Sequence, residues 1–149
     1  MADGKEQKVV KTRFGELTVD MERVIHFPRG LIGFEDCKDF SLVQLSEDSP
    51  FMLLQSVTHS ELGLLVTDPY VFMEEYRVKL GNAEQKILGV AQAEEVAVLV
   101  SVSIPQGHPE KTALNLMGPI MINYAARQAL QVPQVDSGFP SRFYIHQDA

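Results

Sequence analysis

The sequence has few of the features that mark secreted or membrane proteins. It contains a single cysteine, Cys37, so an internal disulfide is excluded. Its longest apolar stretch, VAVLVSVSI at 96–104, has the length of a strand and falls short of the roughly 18 residues that a membrane helix needs. The opening MADGKEQKVVKTR lacks the apolar core of a secretory signal. We therefore expect a cytoplasmic protein with no membrane association.

The short motifs that mark common catalytic and cofactor sites are also missing. Neither a GxxxxGK(S/T) phosphate loop nor a GxSxG nucleophile elbow occurs, and GLIG at 30–33 lacks the third glycine of a dinucleotide fingerprint. The histidines are scattered, and none has a second histidine or a cysteine at metal-ligand spacing: His26, His59, His108 and His146. No catalytic residue, cofactor, metal site or small-molecule substrate is predicted.

Cys37 is a poor candidate for a nucleophile. Asp36 and Asp39 lie close to it in sequence, and neighbouring carboxylates disfavour the reactive thiolate. Lone cysteines usually pack as small apolar residues, so a structural or incidental role is favoured.

Negative charge is concentrated in the middle of the chain. Residues 31–95 carry four basic and twelve acidic side chains, a net charge of −8, whereas residues 1–30 and 96–149 are nearly balanced. An acidic surface repels phosphates, which argues against nucleic acid as a direct ligand. It favours a basic protein partner, although the same charge also serves solubility, and the charge pattern leaves both interpretations open.

Strand patterns dominate the chain. Short runs of alternating or continuously apolar residues, bounded by turn residues, predict strands at 13–19, 24–27, 41–45, 51–57, 62–68, 76–80, 96–104, 112–117, 120–124 and 129–132. Helix is predicted at 82–89, with Asn82 as its N-cap and Gly89 at its end, and in short turns at 34–40 and 91–96. Residues 1–10 are expected to form a flexible N-terminus, followed by one domain over 11–149. This rhythm favours an antiparallel barrel or sandwich.

Three further segments are informative. In FPRGLIGFEDCKDF at 27–40, Gly30 and Gly33 are expected to supply positive φ angles in a turn that Pro28 forces. PYVFMEEY at 69–76 and LMGPIMIN at 116–123 are rich in methionine and aromatic residues, which suit either a core or an adaptable binding surface.

Taken together, these segments resemble the family of the flagellar assembly factor FliW. The matching pieces follow in order along nearly the whole chain beyond its first ten residues: TRFGELTVD (12–20), IHFPRGLIGFEDCKDFSLVQL (25–45), PFMLLQSV (50–57), LLVTDPYVF (64–72), VAVLVSVSIP (96–105) and TALNLMGPIMINYAARQALQV (112–132). The tail VDSGFPSRFYIHQDA matches loosely, and Cys37 has no place in the signature.

The resemblance implies a mainly β, small single-domain, antiparallel β-barrel-like fold with one to three short helices and no enzymatic activity. It implies a protein that binds flagellin before export and, in alternation, binds and antagonises the translational repressor CsrA. Secretion of flagellin would then free the protein to capture CsrA. A flagellin chaperone without CsrA antagonism fits the sequence equally well, and a barrel enzyme or small-ligand binder with an unrecognised site is the alternative from another class.

Candidate partner-binding residues come from the chemistry that each partner implies. An amphipathic flagellin helix needs an apolar surface, and we expect that contact at Phe72, Met73 and Met117, with Asn115 and Asn123 as polar anchors. A basic RNA-binding protein is expected to meet acidic residues at loops or strand ends: Glu35, Asp68, Glu74 and Glu75. Alternatively, the asparagines bond buried backbone and the apolar residues belong to the core.

Overall fold

The computed structural model describes residues 7–12, 15–135 and 137–146. Its strands are β1 (Gln7–Thr12), β2 (Gly15–Asp20), β3 (Ile25–His26), β4 (Asp39–Gln44), β5 (Phe51–Ser56), β6 (Gly63–Thr67), β7 (Ala97–Ser103), β8 (Ala113–Leu114), β9 (Ile120–Asn123), β10 (Gln128–Gln131) and β11 (Phe143–Tyr144). Helix α1 spans Asn82–Leu88, and short 3-10 helices span Met21–Arg23, Pro69–Val71, Ala93–Glu95 and Pro109–Lys111.

Seven of the strands close into a barrel. Their order around it is β7, β6, β5, β4, β3, β10 and β9, and β9 then pairs back with β7. Neighbours are antiparallel except for β3 and β10, which lie parallel where His26 is opposite Gln128. Strands β8 and β11 extend the sheet from β7, and β1 and β2 form a separate hairpin. The predicted mainly β, barrel-like fold is therefore confirmed, with one parallel pair that was not expected.

The barrel interior is filled by apolar side chains. One buried cluster draws on every barrel strand and includes Ile25, Phe27, Phe40, Leu54, Val66, Leu99, Ile120, Ile122 and Ala129. Phe27 and Phe40 meet edge to face, with ring centroids 5.2 Å apart. Cys37 is buried in the same cluster, which agrees with a structural role. Because packed side chains occupy the interior, the surfaces open to partners lie outside the barrel.

Strand β7 is buried on both faces. Leu99 points into the barrel, whereas Val98, Val100 and Val102 face a second cluster that contains Tyr76 and Leu114. Residues 72–78 and 139–145 pack over this outer face. Two-sided burial explains the apolar run at 98–100, where side chains on both faces are buried; the strand meets water at its end, at Ser103.

The prediction of a strand at 76–80 was wrong, although its alternation was informative. Tyr76 and Leu80 are buried as the pattern predicts, but the segment pairs with no neighbouring strand. The Gln134 side chain supplies the hydrogen bonds that a neighbouring strand would give to Lys79. Its Oε1 accepts from the Lys79 N–H at 2.7 Å, and its Nε2 donates to the Lys79 carbonyl at 3.0 Å. One buried amide therefore satisfies backbone groups that a ladder would otherwise pair.

Helix predictions were partly correct. Gly89 stops helix α1 as predicted, as a left-handed cap that follows Leu88. The predicted N-cap was wrong, because Gly81 occupies that position and Asn82 is the first helical residue. The short turn near 91–96 is the 3-10 helix Ala93–Glu95. No helix forms at 34–40, because isolated turns carry the backbone into β4, with N–H groups donating three residues back at Phe34 and Cys37.

The chain ends contain strands that were not expected. Residues 7–10, predicted to be flexible, belong to β1, and Val10 packs with Val19 and Val57. The Lys8 ammonium also donates to the Val57 carbonyl at 2.7 Å. Residues 1–6 of that prediction lie outside the described residues. Near the C-terminus, β11 pairs with β8.

The predicted positive φ angles of the loop before β4 are confirmed, at 65° for Gly30 and 89° for Gly33. The two glycines differ in their surroundings. A Cβ atom at Gly30 would lie 2.5 Å from the Glu35 carbonyl oxygen, whereas a Cβ at Gly33 would meet nothing within 4 Å. Glycine is thus required at position 30 both for the positive φ angle and because the Glu35 backbone packs closely against it.

We predict that Gly30→Ala lowers the free energy of unfolding more than Gly33→Ala does. A left-handed conformation costs an alanine about 1–2 kcal/mol at either position, and only Gly30→Ala adds a clash with backbone. Urea unfolding of both variants measures the difference. Gly33→Asn is the control and should lose less than Gly33→Ala, because asparagine tolerates this conformation. Equal losses at Gly30 and Gly33 would contradict the close-approach explanation.

Candidate functional site

The loop after β3 and the loop before β9 meet at one end of the barrel. The Ile32 N–H donates to the Gln131 Oε1 at 2.9 Å, and the Gln131 Nε2 donates to the Gly118 carbonyl at 3.1 Å. Nearby, the Gln134 N–H donates to the Met117 carbonyl at 2.7 Å. These bonds bring together two segments that are far apart in the sequence, since Ile32 and Met117 are separated by about 85 residues.

Exposed apolar side chains border this end. Ile32 is 56% exposed, Met117 42% and Val135 68%. We call these three residues the apolar rim. Met117 was among the predicted partner-binding residues, but Ile32 and Val135 were missed, since an apolar residue in a loop does not reveal its exposure from sequence.

Glu35 lies in the same loop as Ile32 and helps to shape it. Its carboxylate accepts a hydrogen bond from the Gly33 N–H at 3.0 Å. That bond, followed by one from its own N–H, lowers the pKa of the fully exposed Glu35 carboxyl below its ordinary value. Glu35 is thus accessible, and it lies in the loop between β3 and β4, whereas the other predicted acidic residues follow β6.

The opposite end of β9 borders a surface groove. Strand β9 follows Pro119, two residues after Met117, and is followed by Tyr124, so the apolar rim and Tyr124 lie at its two ends. The groove has a volume of about 670 Å³ and runs between the segment 68–78 and the start of β7. Its lining includes Met52, Asp68, Tyr70, Tyr76, Arg77, Val78, Glu94, Val96 and Tyr124. We call it the tyrosine groove.

The tyrosines of this groove remain neutral well into the alkaline range. Burial raises the pKa of Tyr124, and the Asp68 carboxylate raises it further. Burial likewise raises the pKa of Tyr70, while nearby Arg77 opposes the shift. Burial raises the pKa of Tyr76 strongly, and the neighbouring Tyr70 adds to the shift. The Tyr76 hydroxyl donates to the Leu116 carbonyl at 2.5 Å. The groove therefore offers neutral aromatic surfaces near carboxylates.

The predicted acidic residues fall into separate groups. Asp68 lines the tyrosine groove, and its Oδ1 accepts from the Tyr70 N–H at 2.9 Å, which begins the 3-10 helix Pro69–Val71. Glu74 and Glu75 are exposed in the following turn, and neither side chain has a hydrogen bond or ion pair within the described residues. Glu94, which was not predicted, joins Asp68 at the groove.

Phe72 and Met73 are half-buried and pack against the second apolar cluster. The Phe72 ring also stacks on Phe51, with centroids 6.3 Å apart. Most of the apolar surface of these two residues is therefore engaged within the protein, which agrees with the core interpretation considered for them.

Asn115 and Asn123 both bond the backbone. The Asn115 Oδ1 accepts from the Met117 N–H at 3.0 Å and from the Gly118 N–H at 3.2 Å. The Asn123 Nδ2 donates at 2.7 Å to the carbonyl of Leu88, which is the last residue of α1. The Asn123 Oδ1 accepts from the Ala126 N–H at 3.3 Å. Asn115 thus fixes the loop before β9, and Asn123 fixes the turn after it. This agrees with the alternative that the asparagines bond backbone.

Two histidines contact other titratable side chains near the loop before β4. The Cys37 Sγ lies 3.4 Å from the His59 Nδ1, and the His26 Nδ1 lies 2.8 Å from the Asp39 Oδ1. Within residues 7–12, 15–135 and 137–146, histidine, cysteine and acidic side chains form no group of three or more suited to a metal ion. In the same part of the chain, no helix has the length and apolar character needed to cross a bilayer.

Comparison with known proteins gives a consistent result. The family model described as FliW protein matches residues 8–145. The flagellar assembly factor FliW of Nitratidesulfovibrio vulgaris is 53% identical over 139 residues, which cover 93% of this chain and 80% of that protein. The protein of the same name from Desulfovibrio desulfuricans is 48% identical over 148 residues, covering 98% and 88%.

A solved structure agrees with the fold. A crystal structure of the flagellar assembly factor FliW superposes with a TM-score of 0.86 at 25% sequence identity. The superposition covers 96% of this chain and 99% of that one. The similarity thus extends across the barrel and both loop ends described above.

The asparagine contacts lead to a prediction about stability. Asn123→Ala should lower the free energy of unfolding by about 1–2 kcal/mol, because it leaves the Leu88 carbonyl and the Ala126 N–H without their side-chain partner. Met117→Ala serves as the comparison and should change stability by roughly 0.5 kcal/mol or less, since that side chain is exposed. Urea unfolding measures both, and an unaltered stability in Asn123→Ala would argue against the backbone role.

Proposed function

Because the chain belongs to the FliW family of flagellar assembly factors, we propose that it binds flagellin before export and, in alternation, binds and antagonises the translational repressor CsrA. It acts as a non-enzymatic binding protein in the cytoplasm and contacts neither nucleic acid nor membrane directly. The observation that carries this proposal is the family match over residues 8–145, since it spans nearly the whole domain.

The two ends of the barrel offer surfaces of different chemistry, which supports two kinds of contact. The apolar rim at Ile32, Met117 and Val135 suits the apolar face of an amphipathic flagellin helix. We extend the predicted flagellin contacts to this rim. Of the other residues predicted for flagellin, Asn115 holds the loop that carries Met117. Phe72, Met73 and Asn123 lie away from this rim, the first two packed against the second apolar cluster and Asn123 bonded to the end of α1.

Acidic side chains support a contact with CsrA. A protein that binds RNA carries basic residues where it meets phosphates, and exposed carboxylates attract such a surface. Asp68, Glu74 and Glu75 lie within eight residues of one another on the segment that borders the tyrosine groove, so we place the main CsrA contact there. Glu35 belongs to the other end of the barrel and is the secondary candidate.

The direct test uses purified partners. Isothermal titration of the protein with flagellin monomer and with CsrA should give saturable binding in each case. Saturation with flagellin should then weaken the apparent affinity for CsrA, because the two partners bind in alternation. Lack of binding to both partners would refute the proposal, and binding to flagellin alone would leave a chaperone without CsrA antagonism.

A second prediction concerns the acidic segment. The association rate with CsrA should fall as ionic strength rises, and the double variant Glu74→Lys with Glu75→Lys should slow association about tenfold at low salt while flagellin binding is retained. Stopped-flow kinetics measures both effects. The control is Glu16→Lys with Glu61→Lys, which changes the net charge equally at exposed positions elsewhere. If both double variants slow association equally, the overall net charge is responsible and not this segment. An association rate that does not change with salt would contradict the electrostatic contact.

A further inference from the structure

The tyrosine groove combines aromatic walls with carboxylates. Tyr70 is 36% exposed and Tyr124 49% exposed, so both rings present surface to solvent at the groove. Asp68 lies close enough to both rings to act on their titration, and Glu94 lines the same cavity from the segment before β7. These four residues come from three separate parts of the chain, at 68–70, 94 and 124, and only the fold brings them together.

The two carboxylates of the groove are not neutralised within the protein. Neither Asp68 nor Glu94 forms an ion pair with any basic side chain of the described residues. Arg77 also lines the groove, but its Nη1 donates to the Glu74 and Tyr76 carbonyls at 3.1 Å and 3.0 Å. The internal cation is thus bonded to its own segment, and two negative charges remain available.

A positive side chain complements this arrangement better than other ligands do. Aromatic faces attract cations, and a planar guanidinium both stacks on rings and bonds carboxylates through its fixed donors. An anion or a phosphate would meet two unpaired carboxylates and be repelled. A wholly apolar insert would leave those carboxylates without water or a partner. A volume of about 670 Å³ accommodates such a side chain together with part of its backbone.

We propose that the tyrosine groove receives an arginine side chain from a basic protein partner, with Asp68 and Glu94 as its carboxylate partners and Tyr70 and Tyr124 as its aromatic walls. The identification of that partner as CsrA rests on the proposed function. The chemistry of the groove does not, since it follows from the four side chains alone.

The first experiment measures CsrA affinity by isothermal titration for variants of the groove. Glu94→Gln, which keeps the size of the side chain and removes its charge, should weaken binding about tenfold. Tyr124→Leu should weaken it a few-fold through loss of the aromatic face. Arg77→Gln should strengthen binding a few-fold, because it removes a positive charge at the groove that repels the incoming guanidinium. Thermal unfolding of each variant checks that the fold is retained.

Glu61→Gln is the matched control. Glu61 is exposed and belongs to the same acidic segment, but it lies in the turn between β5 and β6. The groove instead borders the far ends of these two strands, near Met52 and Asp68. Glu61→Gln should leave CsrA affinity unchanged. If it weakens CsrA binding as much as Glu94→Gln does, or if Arg77→Gln weakens rather than strengthens it, the groove is not the arginine site.

The second experiment is independent of CsrA. The tyrosine ring signals are followed by NMR while a triarginine peptide is added, and then the matching tricitrulline peptide, which keeps the planar shape without the charge. The Tyr70 and Tyr124 signals should shift saturably with triarginine and remain in place with tricitrulline, and Glu94→Gln should weaken the effect. If CsrA does not bind the unmodified protein, the CsrA part of the proposed function fails, and the peptide titration still tests the groove. Equal shifts with both peptides, or none with either, would refute the arginine site.

Discussion

Strand β9 holds the barrel closed. It pairs with β10 through four residues and with β7 through three, and without it the sheet would have two open edges. Its residues Ile120, Met121 and Ile122 are fully buried, so closure depends on apolar packing on both faces as well as on the ladder. Strand β9 also positions a residue of each candidate surface, because the loop before it contains Met117 of the apolar rim and the turn after it contains Tyr124 of the tyrosine groove.

A second set of contacts fastens the outer segment 76–80 to the loop that enters β9. The Tyr76 hydroxyl donates to the Leu116 carbonyl, and Gln134 joins the Lys79 backbone to the Met117 carbonyl. The wall of the tyrosine groove and the loop of the apolar rim are thus attached to the same buried polar groups. Buried hydrogen bonds of this kind fix geometry strongly, because breaking one leaves a polar group without water.

Charge and apolar character are distributed between the two ends in a way that suits a binding protein. The apolar rim has only Glu35 near it among the predicted acidic residues, whereas the groove has Asp68 and Glu94, with Glu74 and Glu75 on the segment beside it. The filled interior leaves recognition to these outer surfaces. Membership of the FliW family of flagellar assembly factors accords with this division of the surface.

The sequence predicts most strands, the barrel-like class and the family, because these depend on alternation, turn residues and motif order along the chain. It also predicts Gly30 and Gly33 correctly, since positive φ is a local requirement that glycine meets. It fails at 76–80, where the apolar alternation is real but the hydrogen-bonding partner is the distant side chain of Gln134. Likewise, no local pattern shows that Asp68, Glu94 and Tyr124 share one groove, or that Ile32 lies beside Gln131. Periodicity records which side of an element is apolar, whereas long-range pairing and exposure are decided only when the closed sheet brings distant residues together.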